Sequence, residues 1–342
     1  MKKISKGMKK IVIGVHGLGN KPHQTVLKDW WAQAIQEGLN RIGTGRKDIS
    51  FELVYWADIM HPIPLDHTIT NSADPLYVDE PYVKGPLEIV EKRSYVKTKL
   101  FKYIDEKLDT IFLNEDLSIK LKGVTDQIIQ KYFFDLKVYC SDDSVSFNDP
   151  KYSAKTDIQN RLLQVLKKYD RYDILLIAHS MGSIVAFDVL SEYSDQLNID
   201  TFITIGSPLG LPFIVGRKIA EQKLTNPDIT KPKVPNCIWP YWYNLSDLED
   251  KVAMDHTLND DYAPNKLGTK AVDIAVYNDY EINGKRNAHK AFGYLRTPEL
   301  ARIIDEFLSL KKRERLFRRY KKFTRTVIAD SQDLWEKHFK RT

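Results

Sequence analysis

The chain has 342 residues, 42% hydrophobic and 29% charged, enough for one large α/β domain with an insertion or for two smaller domains. No apolar run approaches the roughly 18 residues that a membrane-spanning helix needs. Its two cysteines, Cys140 and Cys237, lie far apart in no metal-like spacing, which argues against a disulfide framework or a zinc site and fits a reducing, cytoplasmic setting. The net charge of +6 is concentrated: Lys311 to Arg325 holds nine Lys or Arg against one acid, Glu314, a net of +8, which leaves the remainder near −2.

The N-terminal lysines resemble a secretory n-region. However, the apolar run behind them is short, contains His16 and lacks a small-residue cleavage site, so Ile11–His16 is expected to be the first strand of the fold. A Gly-rich loop and a helix over 25–40 follow, then a β-rich stretch at 51–56. Residues 58–150 break the strand–helix alternation. They hold a proline-rich stretch and then helical patterns near 87–112 and 122–134, and are expected to form an inserted cap. Beyond them come a helix over 154–169, the most apolar strand of the chain at 173–178, and a helix over 182–193. Strands at 201–205, 237–245 and 272–277 and a last core helix over 298–310 complete the pattern. Strands alternating with helices imply a mostly parallel sheet covered on both faces. The expected organisation is an α/β domain over 8–310, with 58–150 inserted, and a basic helical extension over 311–342.

Segment 173–190 reads DILLIAHSMGSIVAFDVL: a buried strand, a small-x-Ser-x-Gly turn and a run of helix formers. A serine hydroxyl becomes a useful nucleophile when a tight strand-to-helix turn holds it beside a base, and small neighbours are needed where backbone meets backbone. Ser180 is therefore the candidate nucleophile, with Gly182 as one small position and Ala178 as the other. A helix beginning beneath Ser180 would also favour developing negative charge.

Ala178-His179-Ser180-Met181-Gly182 resembles the nucleophile elbow of bacterial lipases and esterases of the α/β-hydrolase superfamily, including those in which alanine replaces the first glycine. The resemblance covers about residues 10–310 apart from the insertion, at superfamily level. It implies a six-stranded sheet in the order 2-1-3-4-5-6, counting 11–16 as strand 1, with the elbow at the carboxyl ends of central strands. His16-Gly17-Leu18-Gly19 is similar to the lipase oxyanion loop, which implies the N–H groups of Leu18 and Met181 as donors, with His16 ordering the loop. Gly17-Leu18-Gly19 is not a dinucleotide fingerprint, because position 22 is Pro22.

Partners in this fold follow the nucleophile in the order acid, then histidine. His16, His23, His61, His67 and His179 come too early, His338 sits in the charged tail, and His256 precedes the last strand. His289, in a His-x-x-x-x-Tyr segment before the final helix, takes the place of the family's histidine. Segment 242–252 resembles the Trp-x-Asn…Asp-x-x-Asp-x-Val pattern of related esterases, which implies Asp250 as the acid. Asp247 is the runner-up and would otherwise cap the loop. The resemblance implies ester hydrolysis with no metal or organic cofactor.

Asp58, His61, Asp66 and His67 include metal-ligand types but match no defined site geometry. Gly206-Ser207-Pro208 reads as a chain reversal at a strand end, and Trp239, Tyr241, Trp242 and Tyr243 as sheet packing. Leu316, Tyr320, Phe323 and Val327 recur at helical spacing among basic residues. A terminal helix packed on the domain is the first reading of 311–327. An amphipathic helix on an anionic membrane is the second, and would suit a phospholipase or acyltransferase. No nucleic-acid module accompanies it. A non-catalytic binding protein on the same fold is the remaining alternative.

Overall fold

A computed structural model describes residues 9–47, 49–86, 111–113, 119–121, 136, 139, 153–311, 314, 320–322 and 325. Its frame is a six-stranded sheet in which every pairing is parallel: β1 (Lys10–Val15), β2 (Phe51–Val54), β3 (Asp173–His179), β4 (Ile199–Ile205), β5 (Ile238–Ser246) and β6 (Ala271–Ala275). The strand order is 2-1-3-4-5-6, as expected.

Period-two alternation sends the strand side chains to two cores. Ile11, Ile13 and Val15 of β1 and Ile174, Leu176 and Ala178 of β3 face one side, where α3 (Ala154–Lys168) and α4 (Met181–Glu192) cover them. Val12, Leu175, Ile177, Ile203 and Ile205 face the other side, under α1 (Gln24–Arg41) and α8 (Pro298–Ser309). All seven residues of β3 are buried, which is why it reads as a continuous apolar run. Gly14 interrupts β1 because Trp31 of α1 lies against it: a Cβ there would come within 2.8 Å of the indole.

Further helices among the described residues are α2 (Ala57–Met60), α5 (Pro212–Lys223), α6 (Leu258–Asp261) and α7 (Ala291–Leu295). Three elements differ from expectation. α5 lies in a stretch whose prolines (Pro208, Pro212, Pro227, Pro232 and Pro235) read as loop; Pro212 is tolerated there because it takes the first helical position. β2 stops at Val54, because the next turn directs the Trp56 N–H to the His16 ring (3.0 Å) and takes it out of the ladder. The helix expected near 87–112 does not reach its end as a helix. Ile111–Leu113 is instead a strand paired antiparallel with Ile119–Leu121, in keeping with the strand preference of Ile111 and Phe112. The rest of that segment, and the helix expected at 122–134, lie outside the described residues.

Under α4, Asp188 forms a buried ion pair with Lys218 of α5 and accepts from the Tyr139 hydroxyl at 2.9 Å. The insertion is thus tied to the helix that carries the candidate nucleophile. Breaking a buried pair of this kind costs about 3–5 kcal/mol. Among the described residues no helix is long and apolar enough to cross a membrane.

Candidate active site

β3 ends at His179 and α4 begins at Met181, which leaves Ser180 alone at the turn with φ 54° and ψ −132°. A positive φ at a residue with a side chain costs about 1–2 kcal/mol and persists only where neighbours enforce it. Here they do. The Ser180 N–H donates to Ile205 O at 3.1 Å, while Ser183 N–H and Oγ both donate to Ser180 O, at 2.8 and 2.6 Å. A Cβ on Gly182 would stand 2.5 Å from His16 O, and one on Gly17 would stand 2.8 Å from Ser180 Cβ. The two glycines let the loop after β1 close against the turn. Ala178 pairs with Val15 and Thr204 in the sheet, where its methyl group is accommodated.

His289 lies between Ser180 and Asp250. Its Nδ1 is 2.9 and 3.0 Å from the two Asp250 carboxylate oxygens, and its Nε2 is 3.0 Å from Ser180 Oγ. With carboxylate oxygens facing Nδ1, the proton is assigned there, which leaves the Nε2 lone pair directed at the hydroxyl. Burial alone would raise the Asp250 pKa. His289, the Tyr294 hydroxyl (2.7 Å) and the Val252 N–H (2.9 Å) outweigh it and hold the carboxyl below its ordinary value. Gly206, at φ +53°, makes room for the pair: a Cβ there would lie 2.8 Å from Asp250 Oδ2 and 3.2 Å from His289 Nδ1.

Asp247 serves a different purpose. Its carboxylate accepts from the Glu249 N–H at 2.9 Å and the Asn278 N–H at 2.6 Å and pairs with Arg286, so it caps the loop and makes no contact with His289. Asn244 supports the same loop from β5 by donating to His256 O at 3.2 Å and to Asp273 at 3.0 Å. His256 itself is buried beside this loop. His338 lies outside the described residues.

The backbone of His289 is held at both ends. Its N–H donates to Asn287 Oδ1 at 2.9 Å, and its carbonyl accepts from His179 Nε2 at 2.8 Å. Burial, and then the neighbouring His289, push the His179 pKa well below the ordinary histidine value, which keeps it the neutral donor this contact requires. In the sequence His179 is the variable position of the turn motif and a histidine too early in the chain to be the base, and nothing local marks this contact.

Leu18 is half-buried in the loop after β1, and Met181 opens α4. His16 orders that loop: its Nε2 accepts from the Trp56 N–H at 3.0 Å and its ring stacks on the indole at 4.6 Å. The other ring nitrogen lies 2.7 Å from Gly17 O and must donate to it. Burial, with Lys21 adding to it, pushes the His16 pKa down to about 3, so the ring is neutral.

The weaker candidates disperse. Asp58 pairs with Arg161, Asp66 caps Thr68, and His67 meets Trp30 edge-on at 6.1 Å. Among the described residues no three His, Cys, Asp or Glu are grouped to hold a metal ion. Ser207 does more than reverse the chain: its hydroxyl bonds Ser183 Oγ at 2.8 Å, beneath the turn at Ser180. Trp242 packs in the core and donates to Thr204 Oγ1 at 3.2 Å, whereas Tyr241 and Tyr243 stack on each other.

Comparison of the chain with protein-family models, curated proteins and solved structures found no match in any of the three.

Proposed function

We propose that this chain is a serine hydrolase of the α/β-hydrolase fold that cleaves a carboxylic ester through an acyl-enzyme. The observation that carries this reading is the continuous line Asp250–His289–Ser180, with 2.9 Å and 3.0 Å at its two junctions, ending on a serine strained at a strand–helix turn. In the reaction, Ser180 Oγ bonds to the ester carbonyl carbon while His289 Nε2 takes the hydroxyl proton. The Leu18 and Met181 N–H groups receive the oxyanion, aided by the positive end of the α4 dipole. Collapse breaks the bond to the leaving alkoxide, which takes the proton from His289. Water then attacks the acyl-enzyme, giving a proton to His289; collapse breaks the acyl–Oγ bond, His289 returns the proton to Ser180 Oγ, and the carboxylic acid leaves. Asp250 stays ionised throughout and stabilises the imidazolium. No step calls for a metal or an organic cofactor.

A membrane-docked phospholipase or acyltransferase would need the basic segment and Ser180 on one face. Lys322 donates to Asn198 (2.9 Å) and Arg325 to Leu267 (2.8 Å), residues that precede β4 and β6. These are the amino ends of the strands, and Ser180 follows the carboxyl end of β3. Seven strand residues separate the two levels, about 20 Å. This favours a site that does not face whatever surface the basic segment meets.

The test is labelling by a fluorophosphonate probe, with a screen of acyl esters of graded chain length and of phospholipids, using Ser180→Ala as control. Wild type should label and turn over, and the variant should lose about 10⁴-fold or more of its kcat. Full activity in Ser180→Ala would sink the reading. A chain that folds but does not react with the probe would instead support a binding protein.

A further inference from the structure

Residues 61–86 form a strap between two loops of the site. At its start, Leu65 N–H donates to Lys21 O at 2.9 Å and Asn20 Nδ2 donates to Ile63 O at 2.8 Å, which grips the loop that carries Leu18. At its end the strap is bolted down beside α7. The buried Arg296 donates to Val83 O at 2.6 Å, Arg41 donates to Pro86 O at 2.9 Å, and the Tyr280 hydroxyl donates to Pro81 O at 2.6 Å.

Next to Pro81, the Glu80 carboxylate reaches the histidine loop. Oε1 accepts from Asn287 Nδ2 at 2.7 Å and Oε2 accepts from Lys290 Nζ at 3.1 Å. These residues flank His289 on both sides, and the Asn287 amide oxygen accepts the His289 N–H at 2.9 Å. We infer that Glu80 is a positioning residue for His289: the insertion supplies a carboxylate that fixes the loop on either side of the imidazole and so keeps Nε2 aligned on Ser180.

Three features support this assignment, which rests on the hydrolase reading above. The contacts are charge-assisted and divided between the two oxygens of one carboxylate, which makes them stiffer than neutral loop bonds. Both ion-pair partners are half-buried, with side-chain exposures of 32% for Glu80 and 25% for Lys290, so water competes only in part. Although burial opposes its charge, Lys290 and Asn287 hold the Glu80 carboxyl below its ordinary value, so it is ionised when it acts. A carboxylate in this place also explains why the proline-rich strap is tied to the histidine loop and the oxyanion loop together: displacement of either would misalign the reacting groups.

The experiment compares wild type, Glu80→Ala, Glu80→Gln, Asn287→Ala and the Glu80→Ala/Asn287→Ala pair on a short-chain nitrophenyl ester, with Ser180→Ala as the blank. Glu80→Ala should lower kcat about tenfold with KM within about twofold, because a fraction of an ångström at the base affects chemistry more than binding. The double variant should be little worse than Asn287→Ala alone, the non-additivity of groups acting through one another. Glu80→Gln, which keeps volume and an acceptor for Asn287, should fall between and serves if the alanine variant does not fold. An unchanged kcat, or fully additive losses, would overturn the assignment. If wild type turns over no ester, the hydrolase reading has failed separately, and the positioning is decided by the His289 ring ¹H–¹⁵N correlations. They should shift or broaden in Glu80→Ala, and unchanged signals would refute it.

Discussion

Gly206→Ala separates backbone strain from crowding at the Asp250–His289 pair. Gly206 sits at φ +53°, and Gly43, after α1, sits at φ +70° with nothing within 4 Å of where a methyl group would stand. Each alanine pays the left-handed penalty of about 1 kcal/mol. Only at Gly206 does the new methyl meet something: Asp250 Oδ2 at 2.8 Å, Tyr294 Cε2 at 3.0 Å and His289 Nδ1 at 3.2 Å. The closest of these is short of ordinary contact by about 0.7 Å, so the carboxylate must move, at a further cost of about 1–3 kcal/mol. A carboxylate displaced by that amount carries bonds of 2.9 and 3.0 Å to or past their useful limit. Loss of the acid's contribution altogether costs about 10⁴-fold in kcat in such an arrangement, and partial misplacement about 10²-fold. The expectation is therefore about 10²-fold in kcat and roughly 2–4 kcal/mol for Gly206→Ala, against unchanged kcat and about 1 kcal/mol for Gly43→Ala. Urea unfolding measures the stability loss and steady-state hydrolysis of a short-chain nitrophenyl ester the kcat loss. If Gly206→Ala behaved like Gly43→Ala in both, the packing argument around Asp250 would be wrong.

Asp250→Asn should reduce kcat by about 10⁴-fold, while Asp247→Asn should act mainly on stability, since it loosens Arg286 and Asn278 and leaves the His289 contacts in place; equal kcat losses would reverse the assignment of the acid. Tyr294→Phe removes a hydroxyl that donates to Asp250 at 2.7 Å and accepts from the Asp247 N–H at 2.9 Å, and should cost about 1–3 kcal/mol in unfolding free energy. A neutral result by calorimetry would mean that water replaces the hydroxyl. His16 and His179 both have folded-state values depressed below the roughly 6.5 of an unfolded chain, so below that pH the unfolded chain binds more protons. Each histidine's contribution should be full above about pH 6.5 and fall by up to about 1.4 kcal/mol per pH unit as the pH drops; Asp261, raised to about 7 by burial and then by Asp255 and Asp260, opposes with the slope of one group, so the two histidines leave a net loss. Urea midpoints that stay flat from pH 7 to 5 would contradict this.

The parallel sheet was legible because its central strands, β1, β3 and β4, are buried on both faces. Runs such as Ile174–Ile177 leave no solvent-facing position for a polar residue, and the helices between them show the longer period. Ser180 could be named in advance because it lies in a small-x-Ser-x-Gly turn at a strand end, whereas Asp250, with Asp247 beside it, and His289 were implied by the resemblance to esterases and the partner order it carries. Residues 61–86 resisted because they carry no common period. The 61–86 strap runs without regular secondary structure, and its place is set by single contacts to distant partners such as Arg296 and Lys290.

What the amino-acid order determined alone is the succession of strands and helices and the small-x-Ser-x-Gly turn at Ser180, consequences of patterns within a few residues; Asp250 and His289 came from the resemblance to esterases and not from local pattern. Tertiary structure decided that Asp250 and not Asp247 meets His289, that Gly206 leaves room for the pair, that His179 holds the histidine backbone and that Glu80 bonds to the residues on either side of it. Those contacts join residues as far as 210 positions apart. A hydrogen bond needs atoms within about 3 Å, and no local pattern records which distant loops the folded sheet will bring to that distance.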